Sequence, residues 1–433
     1  MTSAVVAHQL GGSVLVVEKE SLYGGTTAKS GGVAWIPANH RQAQAGIADT
    51  VAEGYSYLKG LIGESVPDAR VRAYAERARE MLQFMMRHSH VDFSAIPNYM
   101  DYYENVTGYK SGGRSMDNKP FSLRALGEEA RHIRIAHYDG LLLRYWLDLP
   151  ARLRRQRDNR ICLGPALVAR LRRSLMDRDI PVWLDAPMET LITGEGRVLG
   201  TVVRHDGSAR HIRARRGVLL GTGGFSQNAA MRRRYQQAPI GADWTASAPG
   251  ATGDAVTLGQ EVGAALGFMP CAWWSPTYTI PDGRVLALIA GKSNPGSIMV
   301  TGKGKRFANE AQPYEDLVKA QYAAHARGER AIPCYLVFDA TFRRKYAVGH
   351  IKPGKVETDR QVAPGNFDSG LLTRADSLPA LAEKLDMPPR ALVETVTRFN
   401  EHARRGEDPD FHRGATEHDR YYADPRVKPN PSL

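Results

Sequence analysis

The chain has 433 residues, of which 42% are apolar, and a formal net charge of +12 at pH 7. This length exceeds a single hydrophobic core and predicts two or three domains, at roughly 100–200 residues each. No apolar run reaches the roughly 18 residues of a membrane-spanning helix, and the N-terminus lacks the basic region and cleavage site of a signal peptide, so a cytoplasmic protein is predicted.

The positive charge is carried mainly by arginine, for example in Arg170–Arg173 and Arg210–Arg216. Acidic residues are interleaved along the chain, and no helix-turn-helix, zinc-finger or base-stacking signature accompanies the basic runs. We interpret them as solvated helix faces and hairpin edges, which predicts no nucleic-acid partner. A surface that attracts anionic ligands or lipid headgroups is the weaker alternative, and it leaves peripheral membrane association open.

The cysteines predict neither a disulfide framework nor a metal site. Cys162, Cys271 and Cys334 are widely separated and have no CxxC or Cys/His ligand spacing. An odd number of scattered cysteines is typical of buried, inert thiols in an intracellular protein.

The first predicted strand is Val14–Glu18, whose nearly continuous apolar run suits a parallel strand covered on both faces. Met1–Leu10, which precedes it, resembles the tail of a helix. A glycine-rich stretch at Tyr23–Gly32 follows the strand. A helix is predicted at Pro67–Ser89, with its proline near the first turn. Pro97–Gly113 is dense in Tyr, Asn and Gly and is predicted to be a loop.

The middle of the chain predicts an antiparallel meander. A helix at Leu163–Arg178 and a short strand at Val182–Leu184 come first. From Glu189 to Gly221, apolar alternation is then interrupted at Gly194–Gly196 and at Asp206–Gly207. Such interruptions are typical of hairpin turns between neighbouring strands.

The meander is predicted to end in a second buried strand, Val218–Leu220, and the turn Gly221–Gly224. A helix at about Gly253–Leu266 follows. From about Trp274 the composition changes to aromatic and proline-rich loops, which predicts a domain boundary there. Beyond it we predict helices and one strand at Tyr314–Arg327, Tyr335–Phe338 (the strand), Leu378–Leu385 and Arg390–Arg405.

Two segments that follow predicted strands have the composition of a dinucleotide site. Glu18 closes the first strand, where a carboxylate can accept hydrogen bonds from a ribose, although an exposed Glu at a strand end is at least as common. The next stretch combines small residues, for close backbone approach, with hydroxyls that can donate to a phosphate or a flavin edge. Its members are Gly24, Gly25, Thr26, Thr27, Ser30, Gly31 and Gly32. The turn Gly221–Gly224 is weak alone, but it follows a predicted strand, where dinucleotides bind.

These segments resemble the flavoprotein superfamily of 3-ketosteroid Δ1-dehydrogenases and fumarate reductases. VVEKESLYGGTTAKSGGVAWIP resembles its second strand and following loop, and GVLLGTGGFSQN resembles a later FAD-contact strand. ATGDAV at 251–256 and GKRFANEAQPY at 304–314 resemble further signatures, so that the resemblance covers essentially the whole chain. It implies FAD as the cofactor, contacted by Glu18, the seven residues of the Gly24–Gly32 stretch, Thr222, Gly223, Gly224 and Asp254.

The ketosteroid dehydrogenase branch fits best. Its DYY loop, GR step and N-E-x-x-P-Y pattern occur as Asp101–Tyr103, Gly113-Arg114 and Asn309–Tyr314. This resemblance implies that Tyr314 is the base that removes a C2 proton while FAD accepts a hydride from C1. It also implies that Tyr102 hydrogen-bonds the base and makes it more basic, as a tyrosine requires near neutral pH. The alternative for each tyrosine is a packing role.

The family also has segments that this sequence does not display. In the family, a G-x-G-x-x-G strand lies upstream of the position of Val5. A Tyr and a Gly amide that hold the 3-keto oxygen, and a glycine-rich segment that returns to FAD, lie beyond the position of Leu433. The sequence is therefore expected to be a fragment that lacks both ends, and as given it is expected neither to retain FAD stably nor to oxidise 3-ketosteroids.

The predicted fold class is α/β + α+β. A Rossmann-like FAD-binding domain at residues 1–274, without its first strand, is combined with an inserted α+β catalytic domain at 275–426, and residues 427–433 begin a returning FAD-binding segment. The predicted reaction, 1,2-dehydrogenation of a 3-ketosteroid in steroid catabolism, would take place in an apolar cleft near Trp273, Trp274 and Tyr278. Two alternatives remain: a fumarate- or urocanate-type reductase with an Arg proton donor, and a non-catalytic remnant. The sequence makes no prediction of oligomeric state.

Overall fold

The computed structural model describes residues 1–135, 157–362 and 364–433. These residues divide into two compact units. Unit 1 comprises residues 1–135, 157–242 and 247–270, and unit 2 comprises residues 243–246, 271–362 and 364–433. The assignment of segment 1–274 to FAD binding, of 275–426 to catalysis and of 427–433 to a returning segment stays a prediction.

Helices form much of unit 1 where apolar residues recur at helical spacing. The described helices are α1 Thr2–Gln9, α2 His40–Gln44, α3 Val51–Ile62, α4 Asp68–His88, α5 Leu163–Met176, α6 Ala229–Tyr235 and α7 Asp254–Glu261, with 3-10 segments at Thr27–Lys29 and Leu123–His132. Helix α4 is confirmed to within one residue of the predicted Pro67–Ser89 at each end, and it buries one stripe: Val71, Ala75, Ala78, Leu82 and Met85. Helix α7 ends at Glu261, five residues before its predicted end at Leu266.

The core of unit 1 lies where α1, α4 and α5 meet. Val5, Leu82 and Leu175 are each fully buried in one apolar cluster. The predicted role of the arginines on α5 as a solvated face is wrong in part, because Arg170 and Arg172 are buried. Arg170 donates to backbone carbonyls, including that of His90 at 2.6 Å, and Arg172 pairs with the Glu129 carboxylate at 2.8 Å. These partners offset part of the cost of burying the two guanidinium groups, although Arg172 Nη1 has no hydrogen-bond partner among the described residues.

The strands of unit 1 form several small sheets. They are β1 Val16–Val17, β2 Ala34–Trp35, β3 Phe93–Ala95, β4 Ser115–Asn118, β5 Phe121–Ser122, β6 Arg160–Ile161, β7 Val182–Trp183, β8 Met188–Gly194, β9 Arg197–His205 and β10 Ser208–Arg213. Strand β1 is parallel to β7, with Val16 opposite Val182. It is shorter than the strand predicted at Val14–Glu18. Antiparallel pairing gives the orders β2-β4-β3 and β10-β9-β8 and joins β5 to β6.

The predicted meander is confirmed with both of its turns. Two-residue loops connect β8 to β9 and β9 to β10. Glu195 and Gly196 have φ values of 52° and 72°, and Asp206 and Gly207 have φ values of 50° and 72°. Positive φ at both central residues is what a type I′ hairpin turn requires. The exposed arginines of the 210–216 run lie on or just after β10, as expected of a hairpin edge.

The predicted buried strand at Val218–Leu220 is wrong. Among the described residues these three make no ladder hydrogen bonds, and 71% of the Leu219 surface is exposed. Apolar composition favours burial, but a strand also needs a neighbouring backbone that accepts and donates its hydrogen bonds.

Unit 2 is an α+β arrangement. Its strands are β11 Thr277–Thr279, β12 Val285–Ala287, β13 Ser297–Val300 and β14 Tyr335–Phe338, paired antiparallel as β11 with β12 and β13 with β14. Its helices are α8 Tyr314–Ala326, α9 Ala340–Lys345, α10 Gly365–Asp368, α11 Leu378–Lys384, α12 Pro389–Arg405 and α13 Glu417–Tyr421, with a 3-10 turn at Gly291–Ser293. Strand β14 has the bounds predicted for it, and α8 begins at the predicted residue. Ile298, Val300, Leu392 and Phe399 are members of its apolar core.

The three cysteines are free but differ in environment. Burial raises the pKa of the Cys334 thiol to about 12, as expected of an inert thiol. Cys162 is half-buried, whereas Cys271 is exposed, so the expectation of a buried thiol is wrong for Cys271. Within the ranges that the structure describes, every helix is too short or too polar to cross a membrane.

Candidate functional site

The first segment predicted to bind the cofactor lies next to residues 247–254 in unit 1, which include the predicted Asp254. Lys19, which follows β1, donates to the Asp254 carboxylate at the start of α7 at 2.9 Å. Thr26 Oγ1 accepts the N–H of Ala248 at 3.1 Å, and Lys29 Nζ donates to the Ser247 carbonyl at 2.9 Å. Residues more than 200 positions apart in the sequence are thereby brought together at the carboxyl end of β1.

Glu18 extends the edge of the β1–β7 pair. Its N–H donates to the Trp183 carbonyl at 2.8 Å, and its carbonyl accepts the N–H of Ala186 at 2.9 Å. Its carboxylate accepts the N–H of Glu20 at 3.0 Å. Burial raises the pKa of this carboxyl, although a backbone hydrogen bond from Lys19 and the charge of Arg134 oppose the shift. The carboxylate is half-buried at the strand end, where a ribose-binding group is expected.

Three of the predicted glycines line open space. A Cβ built on Gly25, Gly223 or Gly224 would meet no atom within 4 Å. Gly25 and Gly223 also have φ values of +48° and +78°, in the left-handed region that favours glycine. At these positions the backbone can be approached closely by another molecule.

Two other glycines of the same stretch are required by packing instead. A Cβ on Gly32 would lie 2.6 Å from the Gly164 nitrogen, and one on Gly24 would lie 2.9 Å from the Ala28 Cβ. Gly31 has room, since its nearest neighbour in such a substitution is a Val33 methyl at 3.7 Å. Glycines in similar sequence contexts therefore have two physical roles. Some are required by tight packing, and only those that line open space could contact a ligand.

The predicted hydroxyls are likewise divided. Ser30 Oγ donates to the Thr27 carbonyl at 2.9 Å and accepts the N–H of Gly32 at 3.0 Å, so it stabilises the loop itself. Thr222 Oγ1 accepts the N–H of Ala255 at 3.0 Å and thereby binds the first turn of α7. Thr27 is exposed. Direct contact of these hydroxyls with a cofactor stays a prediction.

Asp254 is engaged by protein groups in this structure. Besides Lys19, the Thr252 hydroxyl donates to its carboxylate at 2.6 Å. As the first residue of α7, the carboxylate also lies where the helix dipole favours negative charge. Its observed function is to join the strand end to α7, and its contact with a cofactor stays a prediction.

The residue pair that sequence reasoning missed is Glu20 and Arg134. Their side chains form an ion pair, and Arg134 follows the residue that bridges to Tyr23. Glu20 Oε1 and Arg134 Nε are buried, and the described part of the chain supplies no hydrogen-bond partner for either atom. Glu20 lies directly after Glu18 and Lys19, so the charge run was visible, but nothing in the sequence indicated that Arg134 would pair with it.

These features fit a dinucleotide-type group. Lys19 and Glu20 line an open pocket of about 470 Å³, together with Ser21, Pro187, Pro249 and Gly250. Glu20 Oε1 is a buried polar atom without a partner among the described residues at the wall of this pocket, where a bound ligand or water can satisfy it. Cationic side chains, exposed glycine backbone and a strand-end carboxylate are the groups that bind phosphates and a ribose.

The predicted DYY and GR segments meet through an ion pair in unit 1. Arg114 donates to Asp101 at 2.7 Å and binds Asp49 through two hydrogen bonds of 2.9 and 2.7 Å. The Asp101 carboxylate also accepts the indole N–H of Trp35 at 2.6 Å. Burial raises the pKa of Asp101, whereas hydrogen bonds from Arg114 overcome burial at Asp49 and lower its pKa.

Tyr102 follows Asp101 in the DYY loop, which the ion pair with Arg114 stabilises. Its hydroxyl shares a hydrogen bond of 2.9 Å with the hydroxyl of Tyr99, and the two rings meet edge to face. Tyr314 is the first residue of α8 in unit 2 and is half-buried. Tyr102 belongs to unit 1 and Tyr314 to unit 2. The predicted hydrogen bond between the two tyrosines stays a prediction.

The segment before Tyr314 lies on a cluster of buried charges in unit 2. Asn309 donates to the Asp419 carboxylate at 2.9 Å. The fully buried Glu310 carboxylate accepts hydrogen bonds from Arg306 at 2.8 and 2.9 Å and from Arg413 at 3.0 Å. The resemblance identified this segment, but it did not indicate which residues surround it.

The aromatic residues proposed for an apolar cleft have different environments. Trp273 is 91% exposed, whereas Trp274 packs edge to face on Tyr322, with ring centroids 5.7 Å apart. Tyr278 stacks on His350 at 5.8 Å. A steroid-binding role of these three residues stays a prediction.

Comparison with known proteins gives a consistent result. A family model described as an FAD-binding domain matches residues 1–432. The chain is 38% identical to a 3-oxosteroid 1-dehydrogenase of Mycolicibacterium smegmatis, over 100% of this chain and 81% of that protein. It is 34% identical to 4-oxocyclohexanecarboxylate 2-dehydrogenase of Sinomonas cyclohexanicum, over 100% of this chain and 77% of that protein.

A solved structure agrees with the sequence relatives. The 3-ketosteroid Δ1-dehydrogenase of Sterolibacterium denitrificans, crystallised with 1,4-androstadiene-3,17-dione, superposes with a TM-score of 0.91 at 37% identity. The match covers 100% of this chain and 82% of that one. The predicted flavoenzyme fold is confirmed.

Proposed function

The chain belongs to the FAD-binding family that includes the 3-oxosteroid 1-dehydrogenases, and from that membership we propose that it is an FAD-dependent dehydrogenase that introduces the 1,2 double bond into a 3-ketosteroid. The observation that carries the proposal is the segment Asn309–Tyr314. It matches the N-E-x-x-P-Y pattern that contains the family's catalytic base. In this chain the segment leads directly into α8 and lies on buried charges, so that Tyr314 has a defined position.

In the proposed reaction Tyr314 accepts the proton that leaves C2 of the steroid. The chemistry that bound FAD supplies is acceptance of the hydride that leaves C1. A tyrosine has an ordinary pKa of about 10 and needs a neighbouring donor to act as a base near neutral pH. Tyr102 is proposed to provide that hydrogen bond, with its own hydroxyl oriented by Tyr99.

FAD is the cofactor of this family, and unit 1 contains the groups proposed to hold it. The carboxylate of Glu18 would bind the ribose, and the exposed backbone at Gly25, Gly223 and Gly224 would approach the phosphates and the flavin. Lys19 and Arg134 would contribute positive charge beside the pocket. These two cations, which pair with Asp254 and Glu20 in this structure, would then interact with the phosphates as well.

Replacement of Glu18 by alanine is expected to weaken FAD binding about 10- to 100-fold, because a hydrogen bond to a charged group contributes roughly 1.5–3 kcal/mol. Isothermal titration of the apoprotein with FAD measures the change. Glu76→Ala, on the exposed face of α4, is the matched control and should leave the affinity unchanged. Equal affinities of wild type and Glu18→Ala would remove Glu18 from the site.

The proposed function is tested by mixing the FAD-loaded protein anaerobically with 4-androstene-3,17-dione. Bleaching of the oxidised flavin and a product that has lost two hydrogens are expected. We also propose that the protein oxidises its steroid substrate in the cytoplasm.

Two comparisons make the test selective. Fumarate added to the reduced enzyme should not reoxidise the flavin, since that reaction would indicate the reductase alternative. 4-Oxocyclohexanecarboxylate, the compound named for the Sinomonas relative, tests whether a single-ring ketone suffices. Flavin that stays oxidised with the steroid would contradict the proposal. A protein that cannot be loaded with FAD would support the non-catalytic alternative and the sequence-based expectation that the chain as given does not retain FAD.

A further inference from the structure

Three successive backbone carbonyls, at residues 310–312 and separated from the proposed base by Pro313, accept hydrogen bonds from two distant side chains. Lys292 Nζ donates to the carbonyls of Glu310 and Gln312, both at 2.8 Å. The ring of His418 binds the carbonyl between them, that of Ala311, through Nδ1 at 3.0 Å. The main chain of this segment is thus bound at three consecutive positions.

Both donors are buried and have a defined protonation pattern. Lys292 is 1% exposed and His418 is 6% exposed. Because a carbonyl oxygen can only accept, Nδ1 of His418 must carry the proton. Burial, aided by the charge of Lys292, lowers the pKa of His418 to about 4, so the ring is neutral near neutral pH. Burial, aided by Arg413, lowers the pKa of Lys292 to about 7, and the amine keeps N–H donors in both protonation states.

Packing alone does not explain this arrangement. An aliphatic side chain would fill the place of Lys292 without the cost of burying an amine. The side chains of the segment are bound as well, Asn309 to Asp419 and Glu310 to Arg413. Backbone and side chains on both sides of the turn therefore have fixed partners.

The constraint is transmitted to Tyr314 through a single residue. Pro313 has φ −48°, and its ring restricts rotation about that bond. Its carbonyl accepts the N–H of Leu317 at 3.1 Å in the first turn of α8. Displacement of the 310–312 carbonyls would therefore displace the start of the helix that carries the tyrosine.

We propose that His418 and Lys292 are positioning residues for Tyr314, which fix the backbone before α8 and so determine where the phenol oxygen meets the substrate. The inference rests on the proposed role of Tyr314 as the base. A misplacement of about 1 Å can cost roughly 100-fold in rate, so these residues should affect the rate of the chemical step more than substrate affinity.

The test compares His418→Leu with His418→Asn, because an Asn amide nitrogen can occupy the position of Nδ1 and donate to the same carbonyl. In the leucine variant we expect the rate of flavin reduction by 4-androstene-3,17-dione to fall about 10- to 100-fold, with KM nearly unchanged. The asparagine variant should recover most of the lost rate. Lys292→Met is expected to reproduce the leucine result. If His418→Leu does not fold, His418→Gln replaces it, because its amide reaches the position of Nε2 instead of Nδ1.

Tyr346→Phe is the matched control. It removes a hydrogen bond of 2.8 Å to Asp424, between two residues of the same unit that are not part of the 310–314 segment. A loss of thermal stability without a change in rate is expected. Rates that fall in His418→Asn as far as in His418→Leu, or in neither variant, would overturn the inference.

Amide hydrogen exchange separates this inference from the proposed function. The leucine variant should exchange faster at the start of α8, around Leu317, and the asparagine variant should not. A wild-type protein that does not oxidise the steroid would refute the proposed function, while the exchange pattern would still test the constraint on the helix start. Unaltered exchange in His418→Leu would refute the constraint even in an active enzyme.

Discussion

Replacement of Tyr314 by phenylalanine is expected to slow flavin reduction by a 3-ketosteroid about 10²–10⁴-fold, the usual effect of removing a general base. FAD should stay bound, because Tyr314 belongs to unit 2 and the groups proposed to hold the cofactor belong to unit 1. Rapid mixing of oxidised enzyme with substrate under anaerobic conditions measures the rate of this half-reaction directly, and the flavin absorbance before mixing reports cofactor content.

Tyr102→Phe and Tyr99→Phe calibrate that result. If Tyr102 supports the base through its hydroxyl, its loss should slow reduction less than the loss of Tyr314. Tyr99→Phe removes the hydroxyl that bonds Tyr102 at 2.9 Å and should have the smallest effect. Small and equal effects at Tyr314 and Tyr102 would mean that the base is another residue.

The largest expected loss of stability is that of Arg114→Met. The side chains of Arg114, Asp49 and Asp101 are each only 1% exposed. Removal of the cation would leave two buried carboxylates without their ion-pair partner, which typically costs about 3–5 kcal/mol in free energy of unfolding. Urea unfolding measures the difference. Arg72→Met, which removes an exposed ion pair with Asp68, is the matched control and should have little effect.

The deficit of Arg114→Met should shrink as the pH falls. In the wild type the pKa of Asp49 is lowered, so its contribution to stability is present above its unfolded-state pKa and is lost as the pH falls through the folded-state value. Without Arg114, the folded-state pKa of this carboxyl rises relative to wild type, because burial is no longer opposed by the guanidinium group. As the pH falls the folded variant then binds more protons than the folded wild type, so the difference in stability between the two becomes smaller. A deficit that stays constant or grows between about pH 7 and about pH 5 would contradict this account.

Elements whose signals are local could be predicted from the sequence. The meander was recognisable because Glu195-Gly196 and Asp206-Gly207 can adopt the left-handed conformations of a tight hairpin. Helix α4 was recognisable because its apolar residues recur at helical spacing after Pro67. Val218–Leu220 was mispredicted because a strand also depends on a partner, which local composition does not specify.

The candidate site was predictable in composition but not in detail. Gly24 and Gly25 are adjacent and look equivalent in the sequence, yet one packs on Ala28 and the other lines open space. The partners of Lys19 and Glu20 lie more than 100 residues away in the chain, at Asp254 and Arg134. No periodicity or spacing encodes such pairs, and a family motif names the conserved position without the residues that support it.

The binding of the 310–312 carbonyls has a consequence for biosynthesis. Ala311 and its donor, His418, are separated by 107 residues, and Glu310 is 103 residues from Arg413. At a translation rate of about 5–20 residues per second, the ribosome needs roughly 5–20 seconds to make the intervening polypeptide. Throughout that interval the Ala311 carbonyl lacks His418 and the Glu310 carboxylate lacks Arg413, although Lys292 and Arg306 have already been synthesised. The proposed base can therefore reach its working position only late in synthesis, after the residues that bind its turn have emerged.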